Sequence, residues 1–141
     1  TASHMANDLN KFTLVEGQPR MKAIALTDNV PLMTAWANDS SYEDIFSEPL
    51  LNLIEAGDLL IAISASGNSP NVLKAIQTAN DQGAITIGFS GDTGGRLRGL
   101  VDYCILIPDP YIGRQEDGHM VLDHVIAYTL NWMIRRAGAA R

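Results

Sequence analysis

The 141-residue chain reads as an α/β domain built on a mostly parallel sheet with helices on both faces. Three observations predict this. Short, β-rich apolar runs recur at MKAIALT (21–27), DLLIAIS (58–64), AITIGFS (84–90) and DYCILIP (102–108), each bounded by turn formers. Helical patterns separate them. The runs are continuously apolar rather than alternating, as expected of strands covered on both faces.

The helical patterns fall at PLMTAWAN (31–38), YEDIFSEPLLNLI (42–54) and PNVLKAIQTANDQG (70–83). The last of these closes on Gly83, a residue favoured just past a helix C-terminus. A short helix is expected over GGRLRGL (94–100). The final segment, about 115–137, predicts a long helix without proline. Met120, His124, Ala127 and Asn131 mark one stripe of it; Val121, Val125, Tyr128 and Trp132 mark a second, and Leu122, Ile126, Thr129 and Met133 a third. A helix apolar over most of its circumference is buried on most sides. For a terminal helix this implies its own sheet on one side and a partner subunit on the other, hence a homo-oligomer. Asp123 reads as a surface or interface residue, and His119 as a packing residue. No internal repeat or low-complexity linker interrupts residues 1–141, read as one domain.

Composition narrows the function classes. Charged residues make up 18%, below the roughly 25% of an average soluble chain. The net charge of -6 and the scattered basic residues argue against nucleic acid as a partner, since phosphate-backbone binders carry basic stripes. The single cysteine, Cys104, lies in the apolar run YCILIP. It permits no intrachain disulfide, suggests no cysteine-based zinc site, and fits a reducing, cytoplasmic setting. No run approaches the roughly 18 apolar residues of a membrane span.

The opening TASHMANDLN has two readings. Ser-His-Met is what a removed purification tag leaves behind. Alternatively His4 and Asp8, four apart, belong to a native helix and face one site.

The strongest local signal is DLLIAISASGNSPNVLKAI (58–76). An apolar strand runs into Ser64-Ala65-Ser66-Gly67-Asn68-Ser69, and Pro70 then opens a helix. Proline is favoured at the first helical position and Ser69 before it is a good N-cap. The loop brings amides, hydroxyls and a helix N-terminus to the carboxyl end of a strand, which suits a phosphate monoester. The plain alternative is an ordinary capped helix start. No GK[ST] follows, so this is not a Walker loop, and no nucleotide cofactor is expected.

ISASGNSPNVLKAI resembles the phosphosugar-binding loop of the SIS (sugar isomerase) domain, and more closely that of the phosphoheptose isomerase family. The likeness runs along nearly the whole chain: MKAIALTDN, TAWANDSSYEDIF, GDTGGRLRGLVDYCILIP and RQEDGHMVLDHVI each resemble successive family segments. The resemblance implies a three-layer α/β/α sandwich of flavodoxin-like type and an aldose–ketose isomerase acting on sedoheptulose 7-phosphate. It implies that Ser64, Ser66 and Ser69, with the Gly67 and Asn68 backbone between them, hold the phosphate or hydroxyls, and that Asp39 lies near the sugar. His124 would match a catalytic histidine. SHMANDLNKF resembles the segment carrying a histidine and, four residues on, an acidic general base, matched by His4 and Asp8. This favours the native-helix reading of the N-terminus.

Two positions depart from the family. Asp8 stands for a glutamate. Gln115-Glu116-Asp117-Gly118-His119 is one residue too long for a direct glutamine match. Glu116 and His124, eight apart, lie about 80° from each other around a helix, whereas Gln115 and His124 would lie on opposite sides. Glu116 is therefore placed in the glutamine position. His4, Asp8, Glu116 and His124 offer donor types acceptable to zinc or another divalent ion. The family's glycine-rich loop and first strand have no counterpart before Thr1, so the chain is expected to be part of a longer protein. The resemblance also implies active sites between subunits and a homotetramer. A different class of answer is a non-catalytic phosphosugar-binding or protein-interaction module, which would need no Asp8–His124 pair.

Overall fold

The computed structural model describes residues 1–139. Its elements are, in chain order, α1 (Ala2–Asn7), a π-helical turn (Asp8–Phe12), α2 (Val30–Asp39), α3 (Asp44–Leu51), β1 (Leu59–Ser64), α4 (Pro70–Asp81), β2 (Ile85–Gly91), a 3-10 turn (Leu97–Gly99), β3 (Tyr103–Ile107) and α5 (Ile112–Ala139). The three strands form one parallel sheet in the order β1-β2-β3, with Leu59 opposite Ile85 and Ile87 opposite Tyr103. The fold is α/β with parallel pairing, as the spacing of apolar runs requires. Two compact units are distinguished: Asn29–Glu116, and residues 1–28 with the helix from Asp117 onward.

The unit Asn29–Glu116 holds the sheet. Pro70 opens α4 with Ser69 at its N-cap position. Leu73 and Ile76 of α4 pack with Ala62 of β1 and with Leu97, and Val72, Val101 and Cys104 close around them. Ile76 and Leu97 are fully buried, each contributing roughly 1.5–3 kcal/mol of hydrophobic stabilisation. Burial pushes the Cys104 thiol above its ordinary range. The strands themselves are less covered than their unbroken apolar runs predict: Leu59, Ile85 and Tyr103 are exposed. Each begins its strand, and Ile105 in the middle of β3 is exposed as well.

Helix α3 is shorter than the 42–54 pattern. The Leu53 and Ile54 amides both turn back to the Leu50 carbonyl, which closes the helix. At its other end Asp44 is a junction. The hydroxyls of Ser40 and Ser41 donate to its carboxylate at 2.5 and 2.8 Å, and Lys74 of α4 pairs with it. These donors hold Asp44 at about 2, below the ordinary 3.8, with Lys74 the largest cause.

In the unit of the two chain ends, the run 21–27 is not a strand. A strand exists through its ladder, and here the backbone is paired by a side chain instead. The Asn10 amide donates to the Ala23 carbonyl at 2.7 Å and accepts from the Ala23 N–H at 3.0 Å. Both groups of Ala23 are taken by one carboxamide, the segment runs into a turn closed by the Asp28 amide on the Ala25 carbonyl at 3.1 Å, and Ile24 is exposed. α5 begins at Ile112, before the expected start, and runs through Gly118 without a break. Upstream of it, the Asp109 carboxylate accepts from the Tyr111 amide and the Arg114 guanidinium, both at 2.8 Å, fixing the approach to the first turn. No helix among the described residues is long and apolar enough to cross a membrane.

Asp44 gives a test of this packing. Its folded pKa is depressed, so its contribution is full above the unfolded value of 3.8 and is lost as pH falls towards about 2. Asp44→Asn is expected to melt below wild type near neutral pH. The gap between the two proteins should narrow as pH falls below about 4. Paired thermal melts across that range check it.

Candidate functional site

Two clusters carry chemistry, one in each unit. The first is the loop at the carboxyl end of β1. The Ser64 and Ser69 hydroxyls lie 3.0 Å apart, so Ser69 occupies the N-cap position of α4 without capping it. This corrects the expectation of a side-chain cap. The Ser69 oxygen is turned across the loop to Ser64, and the first turn of the helix keeps no serine on it. Ser66 is exposed, and its oxygen accepts from the Asn68 amide at 3.2 Å.

Asn68 ties this loop to the one after β2. Its side chain donates to the Ser66 carbonyl at 2.9 Å and accepts from the Arg96 amide at 3.1 Å. The Leu97 amide donates to the Gly67 carbonyl at 2.9 Å. Gly67 has φ +63°, and a Cβ on it would lie 1.9 Å from the Gly94 carbonyl oxygen. Two backbones therefore touch at a point where only glycine fits. Behind them Ser90 donates to the Ser64 carbonyl at 2.7 Å. The Gln115 side chain, buried, lies where a Cβ on Gly91 would be, and its Oε1 has no hydrogen-bond partner among the described residues. Asp39 ends α2 with its carboxylate accepting from Asn38 at 2.8 Å, in solvent.

The second cluster joins α1, the π-helical turn and α5 within the unit of the chain ends. His4 and His124 meet Nε2 to Nε2 at 3.1 Å, their rings at 65°. His4 Nε2 also lies 3.7 Å from Asp8 Oδ2. Asp8 is the first residue of the π-helical turn, a distortion that is frequent at functional sites. Phe12 stacks on Tyr128, and Asn131 donates to the Phe12 carbonyl at 2.7 Å, which holds that turn against α5.

Asp123 completes this cluster and was missed from the sequence. Read as surface or interface, it is 0% exposed within the single chain. One donor atom from each of His4, Asp8, Asp123 and His124 lies within 4.8 Å of the others. Glu116, expected in this set, is not in it and is exposed. The angular argument for Glu116 fixes azimuth only and is blind to the rise of about 12 Å over eight residues. Burial pushes the Asp123 carboxyl above its ordinary range; Asp8 adds to this, and the two histidines oppose it. One signal could have found Asp123. Gln115, His119, Asp123 and Ala127, spaced four apart, form the buried stripe of α5, but three of the four are polar, so a search for apolar periodicity passes over them.

The donor set suits a divalent cation. In a tetrahedral zinc site, donors at about 2.0–2.2 Å from the metal are about 3.4 Å from each other. The separations of 3.1 and 3.7 Å are close to that. Two imidazoles and carboxylate oxygens are donors that zinc and related ions accept.

A family model described as the SIS domain matches residues 1–91. The phosphoheptose isomerase of Aneurinibacillus thermoaerophilus is 37% identical over 126 residues, covering 89% of this chain and 63% of the relative. That of Thermodesulfovibrio yellowstonii is 36% identical over 141 residues, covering 99% of the chain and 69% of the relative. The chain thus spans less than two thirds of the first of these. The solved phosphoheptose isomerase of Neisseria gonorrhoeae superposes with a TM-score of 0.85 at 29% identity, over 92% of this chain and 68% of that one.

The interlock at Gly67 is testable. Gly67→Ala is expected to destabilise the protein by about 2 kcal/mol or more, from the left-handed backbone and the clash with Gly94. Urea unfolding measures this, and phosphate-ester affinity should fall with it.

Proposed function

We propose, for a chain that belongs to the SIS domain family and to its phosphoheptose isomerase branch, that it takes part in aldose–ketose isomerisation of a phosphosugar, with sedoheptulose 7-phosphate as substrate. The observation that carries this is the convergence of His4, Asp8 and His124, which a pure ligand sensor would not need. The reaction moves a proton between C1 and C2 through an enediol, which calls for a base at carbon and an acid at oxygen. Asp8 is assigned as the base and His124 as the acid, imidazole being suited to transfer near neutral pH.

The serine loop is assigned the phosphate. Ser64, Ser66 and Ser69 offer hydroxyls, Gly67 and Asn68 offer backbone, and the start of α4 contributes its dipole. Binding the unreactive phosphate orients the reacting end. Asp39 is assigned to sugar hydroxyls.

Zinc or a similar ion held by His4, Asp8 and His124 would polarise the sugar's oxygens. His124 Nε2 cannot hold a cation and a proton together, so its acid role belongs to the metal-free form and ligation to the loaded one. A homo-oligomer, with a tetramer as the family resemblance implies, is supported by Val121, Val125, Tyr128 and Trp132, an apolar stripe of α5 exposed in the single chain. The lone half-buried Cys104 supports a reducing, cytoplasmic setting.

Incubation with sedoheptulose 7-phosphate, with and without zinc, should yield the aldose. His124→Ala should lower turnover by about 100-fold or more while phosphosugar binding persists. Ser66→Ala should weaken that binding by about tenfold. Binding without turnover in wild type under both conditions would sink the isomerase reading and favour a sensor.

A further inference from the structure

We propose that Asn10 is a positioning residue for Asp8: its carboxamide, locked onto the backbone of Ala23, holds the π-helical turn that aims the Asp8 carboxylate. This role rests on the reading of Asp8 as the base and names the residue that keeps the base in place.

Asp8 opens the turn Asp8–Phe12, where the Thr13 amide reaches back to the Asp8 carbonyl at 3.2 Å. Such a turn carries one residue more than regular helix and is rare, so other contacts must hold it. Thr13, buried, donates its hydroxyl to the Leu9 carbonyl at 2.5 Å, a bond internal to the turn. Asn131 of α5 donates to the Phe12 carbonyl and Phe12 stacks on Tyr128, which fixes the far end. Asn10 ties the middle, two residues from Asp8, to a segment outside both helices. It donates to the Ala23 carbonyl at 2.7 Å and accepts from the Ala23 amide at 3.0 Å. A carboxamide paired with both groups of one residue fixes its own direction as well as its distance.

Regular α-helix in place of this turn would rotate the residues on either side by about 100° relative to each other, the step of one residue. With Phe12 held on α5, that rotation falls on Asp8. Its carboxylate would leave the cluster it forms with His4 and His124. Asn10 is itself exposed, and asparagine is a weak helix former, so neither core packing nor local propensity calls for it there.

The test uses the whole chain with sedoheptulose 7-phosphate as substrate. Asn10→Ala should lower kcat by about tenfold to 100-fold, with KM within about twofold of wild type, since a base misplaced by about 1 Å costs that much and the serine loop is untouched. In an Asp8→Ala background, itself slower by about 100-fold or more, Asn10→Ala should lower kcat no further, because nothing is left to position. A merely structural asparagine would lower the melting temperature and leave kcat of the folded enzyme unchanged, or lower kcat equally in both backgrounds. Either result overturns the proposal. If Asn10→Ala does not fold, Asn10→Leu, which keeps the side chain's shape and loses both bonds, takes its place with the same outcomes. No turnover by the wild-type chain would instead remove the reading of Asp8 as the base, and this role with it.

Discussion

The contact between Gly67 and the Gly94 carbonyl sets the carboxyl end of the sheet. A parallel pair of strands leaves its following loops side by side, and these two loops are pressed together more closely than any side chain allows. Asn68 then spans them with hydrogen bonds to Ser66 and Arg96. Ser90 ties the same region to the Ser64 carbonyl from the neighbouring strand. The serine loop is therefore held by its neighbour and not by its own turn. That matters because the start of α4 lacks a side-chain cap. A helix end whose serine is turned away leaves its field available to an anion, and the surrounding bonds supply the rigidity that a cap would have given.

The second cluster is organised on a different principle. The serine loop is satisfied internally, whereas the group around Asp123 is not. His4 and His124 have only one hydrogen-bonding arrangement between their Nε2 atoms, one donating and the other accepting, and the Asp123 carboxylate oxygens have no hydrogen-bond partner among the described residues. Such an arrangement costs stability. Natural chains keep costs of this kind where a function repays them. The π-helical turn beginning at Asp8 fits the same pattern, since it re-aims one residue at the expense of regular helix geometry.

The sheet was legible because parallel strands are marked by features that survive in one dimension: apolar runs of strand length, helical spacing between them, and the Ser69–Pro70 start of α4. His4, Asp8 and His124 were legible only through resemblance, because nothing local says that residues 120 apart meet. Two failures share a cause. Residues 21–27 have the composition of a strand, but Asn10 takes both backbone groups of Ala23 at the middle of the run. Asp123 has the composition of a surface, but it stands on a buried stripe whose other members, Gln115 and His119, are polar too. In both cases tertiary surroundings override the local preference, and no periodicity records it.

Electrostatics connects the two carboxylates of this cluster to the chemistry assigned to it. Two carboxylates, Asp8 and Asp123, converge on this cluster, and a dication held between them would be neutralised on site, a neutral assembly being far cheaper to bury than a charged one. Neutralisation has a second effect. A cation whose charge is already met by two carboxylates withdraws fewer electrons from a sugar oxygen than one held by neutral donors. Tight holding and strong polarisation are therefore opposed in this donor set. On that balance an ion held here would order the two helices more than it would activate a sugar oxygen. Asp8 is partly open to solvent where Asp123 is sealed, as the base role proposed for Asp8 requires.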